Sequence, residues 1–274
     1  MRPETLFLIG VWLVFVILEI YQKKFFNKPR EKSSDGIVEI VTGVMLLFFI
    51  QPFVVASGYF LTSQVVPDAQ DLILNWPFLV VFGLLLLFDD LTQYWWHRTV
   101  HNVPILYHLH RPHHEAEYLS VRIVYRNNPF YYLFMPSLWF SGMLLFLGSG
   151  WVYVVYICMK MTVIYGAHSD IRWDKPLYKI KWLSPLMWFV ERTISTPATH
   201  FAHHGKYKSD PNTNYKGNYG NFLFLWDVIF GTAIITRDYP KEFGVENLKS
   251  APMFYQIFWP FVQPPKELIQ NSNE

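Results

Sequence analysis

The stretch LILNWPFLVVFGLLLLFDDLTQYWWH, residues 72–97, decides the fold. A helix needs about 20 apolar residues to cross a hydrocarbon core roughly 30 Å thick, and this run is long enough. Yet it closes on two acids (Asp89, Asp90), an aromatic trio (Tyr94, Trp95, Trp96) and His97. A membrane span that delivers a histidine to one face predicts a membrane protein with chemistry at that face. Composition agrees: 52% of the 274 residues are hydrophobic, 19% aromatic and only 16% charged, against roughly 25% charged in soluble domains. The net charge of +2 is too small to argue for nucleic acid. A single cysteine, Cys158, excludes a disulfide framework and a cysteine-based zinc site, and is read as a packing residue.

Outward from that run, four more apolar stretches are read as membrane-embedded. TLFLIGVWLVFVILEIY (5–21) is followed by QKKFFNKPREK, with no small-residue cleavage site, so it is a span rather than a signal peptide. The run 38–62 contains Pro52, an expected kink. The runs 130–148 and 151–168 flank Gly148, Ser149 and Gly150 and predict an antiparallel hairpin. Later apolar pieces, FLFLWDVIFGTAII and APMFYQIFWPFV, are read as interfacial. The fold class expected is all-α: an integral membrane helical bundle of about four to five membrane-embedded helices with a cytoplasmic histidine-rich helical cap. It forms one domain over 1–274, with the first two spans in 1–62, a core over about 85–235 and a flexible tail at 264–274.

Topology follows from the basic residues. Lys23, Lys24, Lys28, Arg30 and Lys32 follow the first span, while SQVVPDAQD between the second and third has no lysine or arginine. The positive-inside rule puts the first loop in the cytoplasm. All ten histidines then fall on the cytoplasmic side of a multi-pass protein of the bacterial inner membrane or endoplasmic reticulum.

The histidines are clustered. HRTVH holds His97 and His101, YHLHRPHHEAE (107–117) holds His108, His110, His113 and His114, and HFAHH holds His200, His203 and His204; His168 stands alone in YGAHSD. Helical residues three and four apart share a face, so each group can aim two or three imidazoles at one point. Ser195, Thr196 and Pro197 supply an N-cap hydroxyl and a first-turn proline for the last group, with Gly205 at its end. Pro112 is expected near a helix start, which makes its segment short or bent. Eight or nine imidazoles exceed what one ion can use, so two metal ions are the natural count. With no cysteine ligand and no H-E-x-x-H, nitrogen ligands at a membrane face suit iron and oxygen chemistry; ligand type alone leaves zinc open.

The pattern HRTVH, HRPHH and HFAHH, with WHR at 96–98 and NYGNFLFLWDVIFGT at 218–232, resembles the fatty acid hydroxylase/sterol desaturase superfamily, over roughly residues 85–235. The resemblance implies a membrane di-iron oxygenase that hydroxylates or desaturates a lipid, an acyl chain or sterol, with O2 as co-substrate. Oxidative cleavage of an ether lipid shares the same pattern. It further implies that His97, His101, His110, His113, His114, His200, His203 and His204 are metal ligands, with His168 a ninth. His108, where relatives often have another residue, is read as a supporting or substrate-facing group. The segment EAEYLSVRIVYRNNP departs from the family pattern: Arg126 and Pro129 correspond, but a histidine is replaced. No cytochrome b5-like or ferredoxin-like segment is recognisable, so electrons are expected from such a protein as a separate partner.

Asp90, seven residues before His97, is expected to take the second N–H of a bound histidine. Asp170 and Asp227 are weaker candidates for the same work, and Glu191 and Arg192 are expected to pair. Tyr94, Trp95 and Trp96 are read as an interfacial belt. Two rivals are a zinc-dependent membrane hydrolase with Glu115 or Glu117 as base, and a metal transporter. Transport wants ligands near mid-membrane along a path, whereas these gather at one face.

Overall fold

Four long helices and one broken run carry the apolar stretches in the computed structural model, which describes residues 3–26 and 28–263; the expected tail at 264–274 lies outside these residues. Helix α1 spans Pro3–Tyr21, α2 Asp35–Val65 and α3 Phe78–Asn102. Next come α4 (Pro104–His114), α5 (Pro129–Leu133), α6 (Pro136–Phe146) and α7 (Gly150–His168). The cap adds α8 (Ser184–Thr193), α9 (Pro197–His203), α10 (Leu225–Ile229) and α11 (Met253–Phe258). Among the described residues there is no β-strand, only two isolated bridges. Helices α1, α2, α3 and α7 are long and apolar enough to cross a membrane. Leu6 and Ile17 of α1, Phe48 and Phe53 of α2 and Leu79 of α3 stay exposed on the outer faces, where hydrocarbon would cover them.

Local chemistry sets the boundaries. Proline occupies the first turn of α4, α5, α6, α8 and α9, where its missing N–H removes no helical bond. The expected kink at Pro52 takes the form of a π-turn over Met45–Ile50, immediately ahead of the proline, inside a helix that continues to Val65. A second π-turn, Leu86–Leu91, lies in α3 and contains Asp89 and Asp90, both turned inward and buried.

Three expectations are corrected. Residues 72–77 do not begin α3; they form turns that bond to the end of α6, Asp71 N to Phe146 O at 3.1 Å and Ile73 N to Leu147 O at 2.8 Å. Pro77 then starts the helix, having no N–H to give to a preceding turn. The run 130–148 is not one spanning helix. It breaks at Phe134–Met135 ahead of Pro136, because a residue before proline is pushed out of the helical region, and α6 is too short to cross. Pro112 is not near a helix start but in the last turn of α4, whose start is set by Pro104; near the end the missing bond removes only the link to the His108 carbonyl.

The turn at Gly148–Gly150 is present, with both glycines at positive φ, but α6 and α7 diverge from it. Helix α6 packs along α2, and α7 packs along α1 and the first half of α3. The α2–α6 crossing is a backbone contact: a Cβ on Gly58 would stand 2.5 Å from Trp139 O, and one on Gly142 would stand 2.2 Å from Val55 O. The other end of the bundle gathers the helix ends that matter chemically. Glu19 at the end of α1 accepts from Ser120 Oγ at 2.5 Å, Ser169 Oγ at 2.9 Å and Val121 N at 3.0 Å. Lys28 in the first loop donates to Leu119 O at 2.6 Å. The basic loop, the end of α7 and the segment after α4 therefore meet at one end.

Candidate metal centre

Four helix segments converge at that end. Helix α3 presents His97 and His101 from its last two turns, α4 presents His110, His113 and His114, α7 ends on His168, and α9 presents His200, His203 and His204. The cap of α9 is Thr196, whose side chain accepts from Thr199 N while Thr199 Oγ1 accepts from Thr196 N at 2.9 Å. Asp174 accepts from Ala198 N at 2.8 Å, pinning the first turn. The nine imidazoles fall into two groups. His97, His101, His110, His114 and His203 bring one ring nitrogen each within 4.8 Å of one another, and so do His113, His168, His200 and His204.

Backbone carbonyls decide which nitrogen faces inward. The Nδ1 of His97 donates to Tyr219 O at 2.7 Å, that of His203 to Gly217 O at 2.8 Å, that of His168 to Ile164 O at 2.8 Å and that of His113 to Ile123 O at 3.1 Å. His110 Nδ1 donates to Asn127 Oδ1 at 2.6 Å, while Asn127 Nδ2 is spent on Tyr132 at 2.9 Å. A carbonyl can only accept, so each of these rings carries its proton on Nδ1 and a bare lone pair on Nε2. Those lone pairs face one another: His97 to His110 at 2.9 Å, His97 to His203 at 3.0 Å, His113 to His168 at 3.3 Å. Such spacing is repulsive between neutral imidazoles and natural around a cation with bonds near 2.1 Å. His101 Nε2 and His114 Nε2 are also buried without a partner. The donor set thus fits two metal ions. Burial pushes the imidazoles of His110, His113, His114, His200, His203 and His204 well below their ordinary pKa, and neighbouring histidines push the same way. They are neutral at pH 7, the form that binds a metal.

The NYG…WDxxFGT stretch is the platform for two of these carbonyls. Asp227 accepts from Tyr219 N at 2.8 Å, Gly220 N at 2.6 Å and Thr232 Oγ1 at 2.5 Å. Asn218, at φ +54°, donates to Thr199 O at 2.8 Å and so ties the loop to α9. Asp227 therefore supports His97 at one remove.

Other expected groups stand elsewhere. Asp90 does not meet a histidine; it accepts from Trp226 Nε1 at 2.8 Å and Leu223 N at 3.2 Å, because the Tyr219 carbonyl already holds His97. His108 lies outside both groups, paired with the Tyr255 hydroxyl and packed on Trp259. Asp170 pairs with Lys24 and Lys28. Glu191 does pair with Arg192, and takes a two-pronged contact from Arg237 as well, at 2.7 and 2.8 Å. Glu115, a base in the hydrolase reading, is occupied by Arg111 at 2.6 Å and Ala251 N at 2.9 Å, and Glu117 pairs with Lys32 and Lys206. The aromatic trio divides: Trp95 is exposed, Tyr94 is buried and Trp96 packs inward on Tyr131. Asn127, Gly217 and Glu19 were not singled out from sequence, and Tyr219 only as part of the quoted NYG stretch. Of the first three only Glu19, an acid inside an apolar run, carried a signal that could have found it.

A cavity of about 110 Å³ opens beside the histidines, lined by His110, His113 and His168 and by apolar residues that include Leu46, Met135 and Ile157.

With this geometry in hand, likeness to known proteins is informative. The fatty acid hydroxylase family model matches residues 82–232, more than half the chain. Alkylglycerol monooxygenase of Homo sapiens is 25% identical over 233 residues, 84% of this chain and 47% of that protein. Methylsterol monooxygenase 1 of Rattus norvegicus is 23% identical over 241 residues, 86% of this chain and 76% of that protein. A probable Delta(7)-sterol 5(6)-desaturase of Neurospora crassa is 29% identical over 119 residues, 40% of this chain and 34% of that protein. The chain spans about half the length of the alkylglycerol monooxygenases it matches. No solved structure gives a significant match.

Proposed function

The chain belongs to the fatty acid hydroxylase family, and on that premise we propose that it is a membrane-bound di-iron oxygenase that hydroxylates or desaturates a lipid C–H bond with O2 and external electrons. The observation that carries this reading is the convergence of Nε2 lone pairs whose Nδ1 protons are already spent on oxygen acceptors. One ion would be held by His97, His101, His110, His114 and His203, the other by His113, His168, His200 and His204. When bound, the iron pair supplies redox access to O2 that no side chain of the protein has.

The chain's own residues do the rest. Tyr219, Gly217, Ile123 and Ile164 carbonyls fix ring orientation. Leu46, Met135 and Ile157 give the cavity that reaches His110, His113 and His168 apolar lining fit for a hydrocarbon segment. In this reading the metal layer faces the cytoplasm of a bacterial inner membrane or endoplasmic reticulum. The basic loop, which packs at the histidine end through Lys28, supports that orientation. Electrons would arrive from a separate cytochrome b5-like or ferredoxin-like donor.

Cleavage of an ether lipid is the second reading, favoured by the likeness to alkylglycerol monooxygenases over 84% of the chain. One experiment tests both. Protein purified without O2 is assayed for metal, then given reductant, O2 and host lipid extract. About two irons per chain with O2-dependent hydroxylated or unsaturated lipids supports the first reading; aldehyde released from ether lipids supports the second. Zinc with no O2-dependent product after iron reconstitution sinks both.

A further inference from the structure

Deeper in the bundle a polar cluster is left that holds no metal ligand. Lys160 of α7 and Asp89 of α3 form a nearly fully buried ion pair. Ser141 of α6 donates to the other Asp89 oxygen at 2.9 Å and bonds to Ser137 O at 3.0 Å. One turn away, Ser137 Oγ is 1% exposed and has no partner, and Gln93 Oε1 is likewise buried and unpartnered. Asp89, Lys160, Ser137 and Gln93 all line the cavity that reaches His110, His113 and His168. Asp89 and Lys160 each stand eight residues before a histidine at the end of the same helix, His97 and His168. Helical rise puts them ~12 Å below the histidine layer.

A tie between helices would explain the Asp89–Lys160–Ser141 contact. It would not explain two further buried polar atoms, on residues that line the cavity, with nothing to bond, nor a charge pair where apolar packing is at least as stable. We propose that this cluster is the anchoring subsite for a hydroxyl group on the lipid, holding it so that a carbon remote from the hydroxyl lies at the histidines. The inference rests on the lipid-oxygenase reading and adds the substrate class to it. A hydroxyl suits the site because it can accept from Lys160, which spends one of its three donors on Asp89, and donate to Gln93 Oε1. The site also has no spare cation: Asp89 and the neighbouring buried Asp90 face the single Lys160 charge, so a carboxylate or phosphate would lose its hydration without a free cation to meet it.

The test is binding to the full chain in lipid nanodiscs, read as protection against thermal unfolding by 1-hexadecanol, n-hexadecane and hexadecanoate. It needs neither iron nor turnover, so failure of the oxygenase reading leaves this measurement intact, and a working oxygenase without the preference sinks only the subsite. The alcohol is expected to bind about tenfold tighter than the alkane, the worth of a hydrogen bond to charged groups. Lys160→Met is expected to abolish that preference and Ser137→Ala to reduce it several-fold. The serine variant carries the test where the lysine variant fails to fold. Equal binding of alcohol and alkane, tightest binding of hexadecanoate, or an undiminished preference in Ser137→Ala would overturn the proposal.

Discussion

His97 and His203 each give one ring proton to a carbonyl and turn the other nitrogen, bare, toward their neighbours 3.0 Å apart. A ring whose Nδ1 proton is spent on a carbonyl can offer its Nε2 lone pair to a cation, so removing a single ring should weaken the site. His203→Ala is expected to lose the ion proposed for the five-histidine group and the proposed oxygenase turnover together; full metal content by plasma spectrometry, or retained turnover, would refute the ligand assignment. Asp227 works one bond further out, through the Tyr219 and Gly220 amides. Asp227→Ala is expected to lower metal affinity about 10–100-fold, the usual scale for an outer partner of a metal-bound histidine, measured by chelator competition on folded protein. Protonation gives a third handle. The folded imidazoles of His110, His113, His114, His200, His203 and His204 sit below the unfolded value of about 6.5. A base whose pKa is lowered by folding binds more protons when unfolded, so stability is full above about pH 6.5 and falls as pH drops below it. Metal-free protein should therefore show a flat melting temperature from pH 8 to 7 and a steep decline toward pH 5. A profile unchanged down to pH 5 would mean these rings are not buried neutral.

Helices obey rules that the sequence states plainly and contacts that it does not. Apolar length announced α1, α2, α3 and α7, and Thr196-Pro197 announced the start of α9. The break of the 130–148 run before Pro136 was open to a local reading, since proline pushes the residue ahead of it out of the helical region. The parting of α6 from α7 was hidden because it depends on which neighbour offers the better surface. That neighbour is α2, met through Gly58 and Gly142, where helix backbones touch and small residues are the means of close approach. Gly142→Leu is expected to force α6 off α2 and to destabilise the fold by about 1–3 kcal/mol or more, seen as a lower melting temperature in detergent. Gly83 in the first half of α3, which has open space around it, should accept alanine with little change. Equal effects at the two positions would show that the crossing is not the constraint.

At the scale of the whole molecule, the histidine spacing disclosed the ligand candidates because i, i+3 and i, i+4 repeats survive in one dimension. The atoms that orient those ligands did not show. Gly217 and Tyr219 act through their carbonyls, which every residue has, and Asn127 and the Lys160–Asp89 pair acquire meaning only when distant helices meet. The gathering of the histidines at one end was expected from the placement of Lys23 to Lys32 and a span count that included 130–148; the gathering holds although α6 is too short to cross. Its orientation in the membrane is open to a direct measurement. Gln22 after α1 and Lys216 in the cap are exposed at or beyond the histidine end, and Asp68 is exposed in the loop joining α2 to α3. With Cys158, the one native cysteine, replaced by serine, each position becomes a single labelling site. If the histidine layer is cytoplasmic, as proposed, an impermeant maleimide applied to sealed cells should modify Asp68→Cys and spare Gln22→Cys and Lys216→Cys until the membrane is opened. The reverse pattern would place the histidine layer outside. Labelling of Gln22→Cys and Lys216→Cys from opposite sides would break the bundle as described, since the first loop and the cap are joined there by Lys28 and by Arg30, which pairs with Glu242.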